Sequence, residues 1–430
     1  MKYSVYNSHI QLTDKTSVIY NALSDQFLLL PNGSYSDKLE ELKANNPKLF
    51  NVMVKGGHIV ETSKDEIALV KELQEKVDFD NRTYQLIINP TLNCNFRCWY
   101  CYETHLKDSY MTAETKTSVE HLIDRLTSEG ISHFSLGFFG GEPLLHFLKV
   151  VKPLIIYANQ CCKEKNVRLS VNFTTNGYLI NESMVEFFKA NSVNMLQITL
   201  DGGPEEHNKT RFLSNGTGSY EKIINNIKLL LKNKISVTLR INCTGQNIFS
   251  TEHIANDLKD IPNDSKPYLD IHFQQVWQNS KDEDIEDSVN QMIDVFDSLG
   301  LKSSIYVFDN VRNSCYGDKK NSMLVNYNGN VYKCTALDFV KTKRDGFLDD
   351  TGNVHWENDS LDIRLNAKFK NKPCLSCRIL PICNGACSQK ALEYKEQDYC
   401  ILSFDEKRKD NAILARFKKN VLFNPDWKKF

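Results

Sequence analysis

Three cysteines crowd into eight residues of the stretch TLNCNFRCWYCYE (residues 91–103): Cys94, Cys98 and Cys101. Thiolates are soft ligands, and three of them on one loop suit zinc or an iron–sulfur cluster. Structural zinc commonly draws four ligands from two separated pairs. Here the spacing is Cys-x3-Cys-x2-Cys and the next cysteine or histidine is His105, so a Cys3His zinc site is one alternative. A four-iron cluster is the other, and it would leave one iron without a protein ligand, open to a small molecule.

A second set follows near the C-terminal end: Cys315, Gly329-x4-Cys334, Cys374-x2-Cys377-x5-Cys383-x3-Cys387, and Cys400. Regular apolar periodicity fades beyond residue 310, and a loop-rich segment of this kind needs another source of stability, which metal ligation supplies. Paired Cys-x2-Cys also serves zinc ribbons, which is the alternative here. Cys161, Cys162 and Cys243 match no such spacing. Two fall in an expected helix and one in an expected strand, where cysteine packs as a small apolar residue.

Chemistry at these positions needs elements that converge on one place. From Tyr84 onward, six apolar strands (YQLIINPT, HFSLGFFGG, RLSVNFTTNG, NMLQITLDG, ISVTLRINCT and YLDIHFQQV) alternate with amphipathic helices. In the helix TSVEHLIDRL, Val119, Leu122, Ile123 and Leu126 recur at helical spacing. Six β-α units predict an α/β architecture, a parallel sheet with helices over its outer face. Periodicity alone leaves open whether such a sheet closes. Its ligand site belongs at the carboxyl ends of the strands. The polar motifs fall there: LNC after the first strand, GGEP (140–143) after the second, TTNG (174–177) after the third and LDGG (200–203) after the fourth. Gly140 and Gly141 would let backbone groups approach a ligand closely, and Glu142 would supply an anion. Standing alone, GGEP would be a plain turn.

Taken together, the cysteine trio with Tyr100 before its last member, and GGEP, resemble the radical S-adenosylmethionine (SAM) superfamily over about residues 84–276. The resemblance implies a partial (β/α)6 barrel and one [4Fe-4S] cluster held by Cys94, Cys98 and Cys101. It implies SAM as cofactor, chelating the open iron through its amino and carboxylate groups. An electron passed to the sulfonium then breaks a carbon–sulfur bond and leaves a 5′-deoxyadenosyl radical that abstracts a substrate hydrogen. Cofactor contacts would come from Tyr100, Gly140, Gly141, Glu142, Asn176, Thr199 and Arg211 of HNKTR, with Thr199 and Arg211 on the SAM carboxylate or ribose. Arg211 could equally form a surface ion pair.

The seven C-terminal cysteines resemble the SPASM signature of radical SAM enzymes that modify peptides and proteins, over about residues 310–404. That implies two auxiliary [4Fe-4S] clusters, the outer one on Cys374, Cys377, Cys383 and Cys400, the inner on Cys315, Cys334 and Cys387. The inner set is one ligand short; Asp309 or a substrate thiolate would complete it. Around these regions the sequence sets a small α+β domain at 1–80, a linker at 277–309 and a closing helix at 405–430.

Composition excludes some classes of function. With 53 Lys and Arg against 54 Asp and Glu, no global field favours nucleic acid or an anionic membrane. The first residues lack the apolar run of a secretory signal, and thirteen cysteines, mostly clustered, fit a reducing cytoplasm in which disulfides are rare.

Anaerobic sulfatase maturases share the implied architecture and oxidise cysteine or serine to formylglycine, using an aspartate directly after the cysteine equivalent to Cys334. Here VYKCTALDF places Thr335 there, with Asp338 nearby as a substitute base. The segment looks more like maturases of ribosomal peptides that install thioether or carbon–carbon cross-links. Such an enzyme takes a precursor peptide or protein as substrate and a flavodoxin or ferredoxin as electron donor, and residues 1–80 would either bind the leader as an added strand or serve as a cap on the barrel. A non-catalytic metal-cluster binding protein is the alternative from another class.

Overall fold

Strands that carry apolar residues on both faces need cover on both sides, and the first of the expected strands does: Tyr84, Leu86, Ile87 and Ile88 are all buried. In the computed structural model, which describes residues 1–276, 278, 285–305, 312–357, 359–367, 369–385, 387–394 and 397–422, this strand lies inside an eleven-stranded sheet. The chain divides into two units. One is Asn81–Tyr306 with Asn321–Asn358; the other is Met1–Asp80 with Val307–Lys320 and Asp359–Phe430.

The first of these units contains the sheet. Its strands are β1 (Thr83–Ile88), β2 (His133–Phe138), β3 (Arg168–Thr175), β4 (Val193–Leu200), β5 (Ser236–Cys243), β6 (Leu269–Gln275), β7 (Ser303–Ile305), β8 (Ser322–Val325), β9 (Asn330–Tyr332), β10 (Gly346–Leu348) and β11 (Val354–Trp356). They lie in the order β7-β6-β5-β4-β3-β2-β1-β8-β9-β10-β11. Pairing is parallel from β7 through β8 and antiparallel from β8 to β11. Crossovers run through α1 (Ala113–Ser128), α2 (Lys152–Glu164), α3 (Glu182–Ala190), α4 (Pro204–Thr210), α5 (Tyr220–Lys232), α6 (Glu252–Leu258) and α7 (Glu286–Ser298). Val119, Leu122, Ile123 and Leu126 of α1 are buried, as their spacing predicts. Cys161, Cys162 and Cys243 are buried among apolar neighbours of the same core.

All six expected strands form, as β1 to β6. Among the described residues the sheet does not close on itself; its terminal strands are β7 and β11. Two regions differ from the expected division. The stretch 277–309, expected as a linker running into a helix, forms that helix as α7, with Val289, Met292, Ile293 and Phe296 on one face against the core, and also supplies β7 to the sheet. Part of the expected loop-rich region 310–404 supplies β8 to β11. The whole of β8 (SMLV) is buried, and its Met323 and Leu324 pair in register with Leu86 and Ile87 of β1.

In the other unit, strands Asn7–Gln11, Thr16–Asn21 and Gln26–Pro31 form an antiparallel sheet in that order. Successive residues of the middle strand face opposite ways. Ile19 joins Leu30, Leu42, Leu49 and Met53 in a core with helices Leu39–Asn45 and Pro47–Lys55. Val18 and Tyr20 pack instead with Ile379, Leu380, Ile382, Ile413 and Phe417, and Arg416 in helix Glu406–Phe417 pairs with Asp25 at 2.6 Å. The N-terminal α+β segment therefore shares its second core with the C-terminal segment. No helix among the described residues is long and apolar enough to cross a membrane.

Buried His58 is fully excluded from solvent, its Nε2 has no partner, and burial lowers its pKa from 6.5 to about 4. Between those values the unfolded chain binds the extra proton and the folded chain does not. Folded stability therefore falls as pH drops from 6.5 toward 4, by about 3 kcal/mol. Denaturant unfolding followed against pH should show a shallower loss over this window in His58→Gln than in the wild type.

Candidate active site

The cysteine loop leaves β1 under tension from both sides. Asn89 N donates to Val325 O at 2.9 Å, Leu92 N donates to Ser109 Oγ at 2.9 Å, and Thr91 Oγ1 donates to Ser109 O. Within the loop, Phe96 N donates to Cys94 Sγ at 3.4 Å and Cys101 N to Cys98 O at 3.1 Å. Phe96 is buried and pins the loop to the core, with the Arg211 guanidinium 5.6 Å above its ring. Cys94 and Cys98 are half-buried, and Cys101 is exposed.

The GGEP turn lies against this loop. Gly140 and Gly141 have φ of +81° and +51°, and a Cβ on them would meet Asn89 Cγ at 2.5 Å and Asn93 O at 2.2 Å. The close approach that these glycines permit is thus to the cysteine loop itself. Glu142 N donates to Asn93 O at 2.8 Å. The Glu142 carboxylate is fully buried and accepts from Leu144 N (3.0 Å), Thr175 Oγ1 (2.8 Å) and Asn176 N (2.8 Å). Burial raises its pKa against the pull of these bonds. Asn176 Oδ1 accepts from Tyr178 N at 3.0 Å, and its Nδ2 donates to Asn95 Oδ1 at 2.7 Å and sits 3.9 Å from Cys94 Sγ.

Tyr100 is held on the far side of the loop. Its hydroxyl accepts from Arg211 Nη1 and Asn242 Nδ2, each at 2.9 Å, and Arg240 Nε donates to Asn242 Oδ1 at 2.9 Å. Parallel pairing sets Arg240 of β5 beside Thr199, which is half-buried near the end of β4. Arg211 is 7 % exposed, so it is a buried cation and not part of a surface ion pair. Buried His207 supports it: Asp201 N donates to its Nδ1 at 3.2 Å, its Nε2 lies 2.9 Å from Ser219 Oγ, and that hydroxyl donates to Arg211 O. These bonds set the neutral ring with its proton on Nε2, and burial holds its pKa well below the usual value. Sequence reasoning missed Asn95 and Glu103, although they lie inside the cysteine stretch, His207, although it opens HNKTR, and Arg240 and Asn242 in β5. A polar residue within or just beyond an apolar strand or cysteine run is their only signal.

Several buried polar atoms in this region meet no protein partner: Asn89 Oδ1, Asn95 Nδ2, Glu103 Oε1 and Arg211 Nε, while the buried Asp201 carboxylate lies against the Tyr100 hydroxyl and the Asn242 amide. Orphaned buried polar atoms cost about 1–3 kcal/mol each, so donors and acceptors left together mark a place where a ligand with both belongs. A zwitterion bearing hydroxyls, such as SAM, fits that set. Burial also raises the half-buried thiols, Cys94 to about 12 and Cys98 in the same direction. Thiolates at these positions need the positive charge of a bound metal. Among the described residues no three His, Cys, Asp or Glu side chains are gathered for a metal ion, so the ligand sets rest on donor type and spacing.

Of the C-terminal cysteines, Cys374, Cys377 and Cys383 lie along the apolar cluster of Ile379, Leu380 and Ile382. Asn371 Nδ2 donates to Cys374 Sγ at 3.0 Å and to Tyr399 O, next to Cys400, at 2.7 Å. Cys315 and Cys387 belong to the same unit and are exposed, whereas Cys334 is buried in the sheet-bearing unit. Asp309 lies outside the described residues. Asp338 is a clamp: Oδ1 accepts from Thr104 N and Val340 N, and Oδ2 from Thr104 Oγ1 (2.8 Å) and Lys341 Nζ (3.0 Å). Burial opposes these bonds, yet they hold its pKa below the usual carboxylate range.

Residues 88–261 match the radical SAM superfamily. The chain is 26% identical over 384 residues to the cysteine-type anaerobic sulfatase-maturating enzyme of Clostridium novyi (strain NT), covering 78% of this chain and 94% of the relative. Its fold is like that of native anSMEcpe with bound AdoMet (20% identity, 78% of this chain and 97% of the other, TM-score 0.60). It is also like that of Streptococcus suis SuiB bound to precursor peptide SuiA (15% identity, 94% of this chain and 100% of the other, TM-score 0.55).

Substituting Gly141→Ala would drive a methyl group into Asn93 O and force a strained φ. Anaerobically reconstituted Gly141→Ala should therefore retain markedly less iron per chain than the wild type, measured by colorimetric iron analysis.

Proposed function

Because this chain carries a radical SAM domain homologous to those of the sulfatase-maturating enzymes and SPASM-type peptide maturases, we propose that it modifies a ribosomal precursor peptide, installing a thioether or carbon–carbon cross-link. The observation that carries the reading is the set of unpaired buried donors and acceptors around Cys94, Cys98 and Cys101 at the carboxyl ends of β1 to β5. Bound there, SAM and a [4Fe-4S] cluster supply the one-electron chemistry that removes a hydrogen atom from a substrate.

The chain's own residues then divide the work. Cys94, Cys98 and Cys101 hold the cluster. Arg211 presents a fixed cation with one unpaired N–H, suited to a carboxylate, and Tyr100, Asn242 and His207 keep it in place. Thr199, Asn176 and Asp201 offer short polar groups for hydroxyls. The glycines at 140 and 141 and the buried Glu142 set the spacing between loop and turn. Cys374, Cys377, Cys383 and Cys400 hold an outer auxiliary cluster, and Cys315, Cys334 and Cys387 an inner one whose remaining position is open to Asp309 or a peptide thiolate. A flavodoxin or ferredoxin in the cytoplasm provides the electron. The three-stranded sheet at 7–31 has two outer strands, and either offers backbone groups for a leader peptide to add as a further strand.

A sulfatase-maturase activity is the second reading, favoured by the Clostridium novyi relative. Against it, Thr335 follows Cys334, and Asp338 has both carboxylate oxygens engaged by Thr104, Val340 and Lys341.

Anaerobically reconstituted protein with a reductant should release 5′-deoxyadenosine from SAM, and the Cys94→Ala, Cys98→Ala, Cys101→Ala triple variant should release none. Mass spectrometry of a co-expressed precursor peptide should show hydrogens lost in pairs. Persistent nucleoside release by the triple variant would defeat the assignment, and a formylglycine product would select the second reading.

A further inference from the structure

Two glutamates reach the GGEP turn, and they are not equivalent. Glu142 is consumed by the protein, with three hydrogen bonds from Leu144, Thr175 and Asn176 and no exposure to solvent. Glu103, two residues past Cys101, accepts one bond, from Gly141 N to its Oε2 at 3.0 Å, and its Oε1 is buried with no partner. The position is rigid: Thr104, the next residue, is held by Asp338 through both its N–H and its hydroxyl. Its charged neighbour is the Asp338 carboxylate, which already pairs with Lys341. A buried carboxylate beside another, with one oxygen unpaired, is destabilised until a donor reaches it.

The other buried acceptors have different company. Asp201 sits near the Arg211 cation, and Asn89 Oδ1 is a neutral amide oxygen. Glu103 Oε1 is thus the anionic acceptor of the site that no cation opposes, carried on the same loop as the thiols.

We propose that Glu103, and not Glu142, is the carboxylate that receives the N–H groups of the SAM amino group. This assignment rests on the radical SAM reading above. In it, Glu142 is a positioning residue that fixes the turn donating Gly141 N to Glu103, and Glu103 is the cofactor contact.

The test is a SAM titration of the reduced cluster, followed by electron paramagnetic resonance, on reconstituted wild-type, Glu103→Gln and Glu142→Gln protein of matched iron content. Glu103→Gln should require about tenfold more SAM for the same spectral change, with an unfolding midpoint close to that of the wild type. Glu142→Gln should lower the unfolding midpoint while the folded fraction titrates near the wild-type SAM concentration. A Glu103→Gln affinity within twofold of wild type would overturn the proposal. If Glu103→Gln fails to hold iron, Glu103→Asp carries the same test, since it keeps the charge but withdraws the oxygen, and an unchanged affinity there would be equally damaging. A wild-type spectrum indifferent to SAM would instead count against the radical SAM reading itself.

Discussion

The site depends on one buried carboxylate that has no solvent contact. Glu142 receives the backbone N–H of Asn176 and the hydroxyl of Thr175 from the end of β3, while its own N–H reaches back to Asn93 in the loop after β1. Three strand ends are thereby fixed relative to one another. An ionised group at zero exposure is tolerable only when its lone pairs are filled by donors already in place. The glycines before it let the turn come close enough for that to happen. Loops are ordinarily the mobile part of a fold, and here a charge pulled out of water makes one of them part of the frame.

On that frame the protein leaves its polar groups unequally satisfied. Tyr100, Arg211, Asn242 and Arg240 form a chain of hydrogen bonds that orders the side of the site near β4 and β5. Yet Arg211 Nε, Asn95 Nδ2 and Glu103 Oε1 stay without partners. A folded protein that pays this cost at a cluster of positions keeps them for a ligand, and the mixture of donors and acceptors selects one that carries both charges.

The sequence exposes β1 to β6 because each is six to eight residues long with a regular set of buried apolar positions, nearly continuous in β1 and alternating with polar residues in β3 to β6. It hides β7 to β11, of which all but β8 have three residues each, too few for any period to register. The cysteine trio was legible from its spacing, and GGEP only beside it, through the family resemblance that the two carry together. The role of Glu142 was not, since a motif marks a residue as important without saying whether it faces a ligand or the interior. Asn242, with Arg240 behind it, reaches Tyr100 only because the fold brings the end of β5 to the loop after β1, a long-range approach that no local pattern encodes. The same holds for Asp338. Its nearness to Cys334 in the chain suggests a base, but its contacts with Thr104 arise from residues more than two hundred positions away.

The ion pair between Asp25 and Arg416 has an implication for biosynthesis. The apolar face formed by Tyr6, Val18 and Tyr20 gains its cover from Ile379, Leu380, Ile413 and Phe417, which are synthesised hundreds of residues after it. Until they emerge from the ribosome that face stays naked, so the nascent chain is shielded in the interval, by a chaperone or by transient collapse.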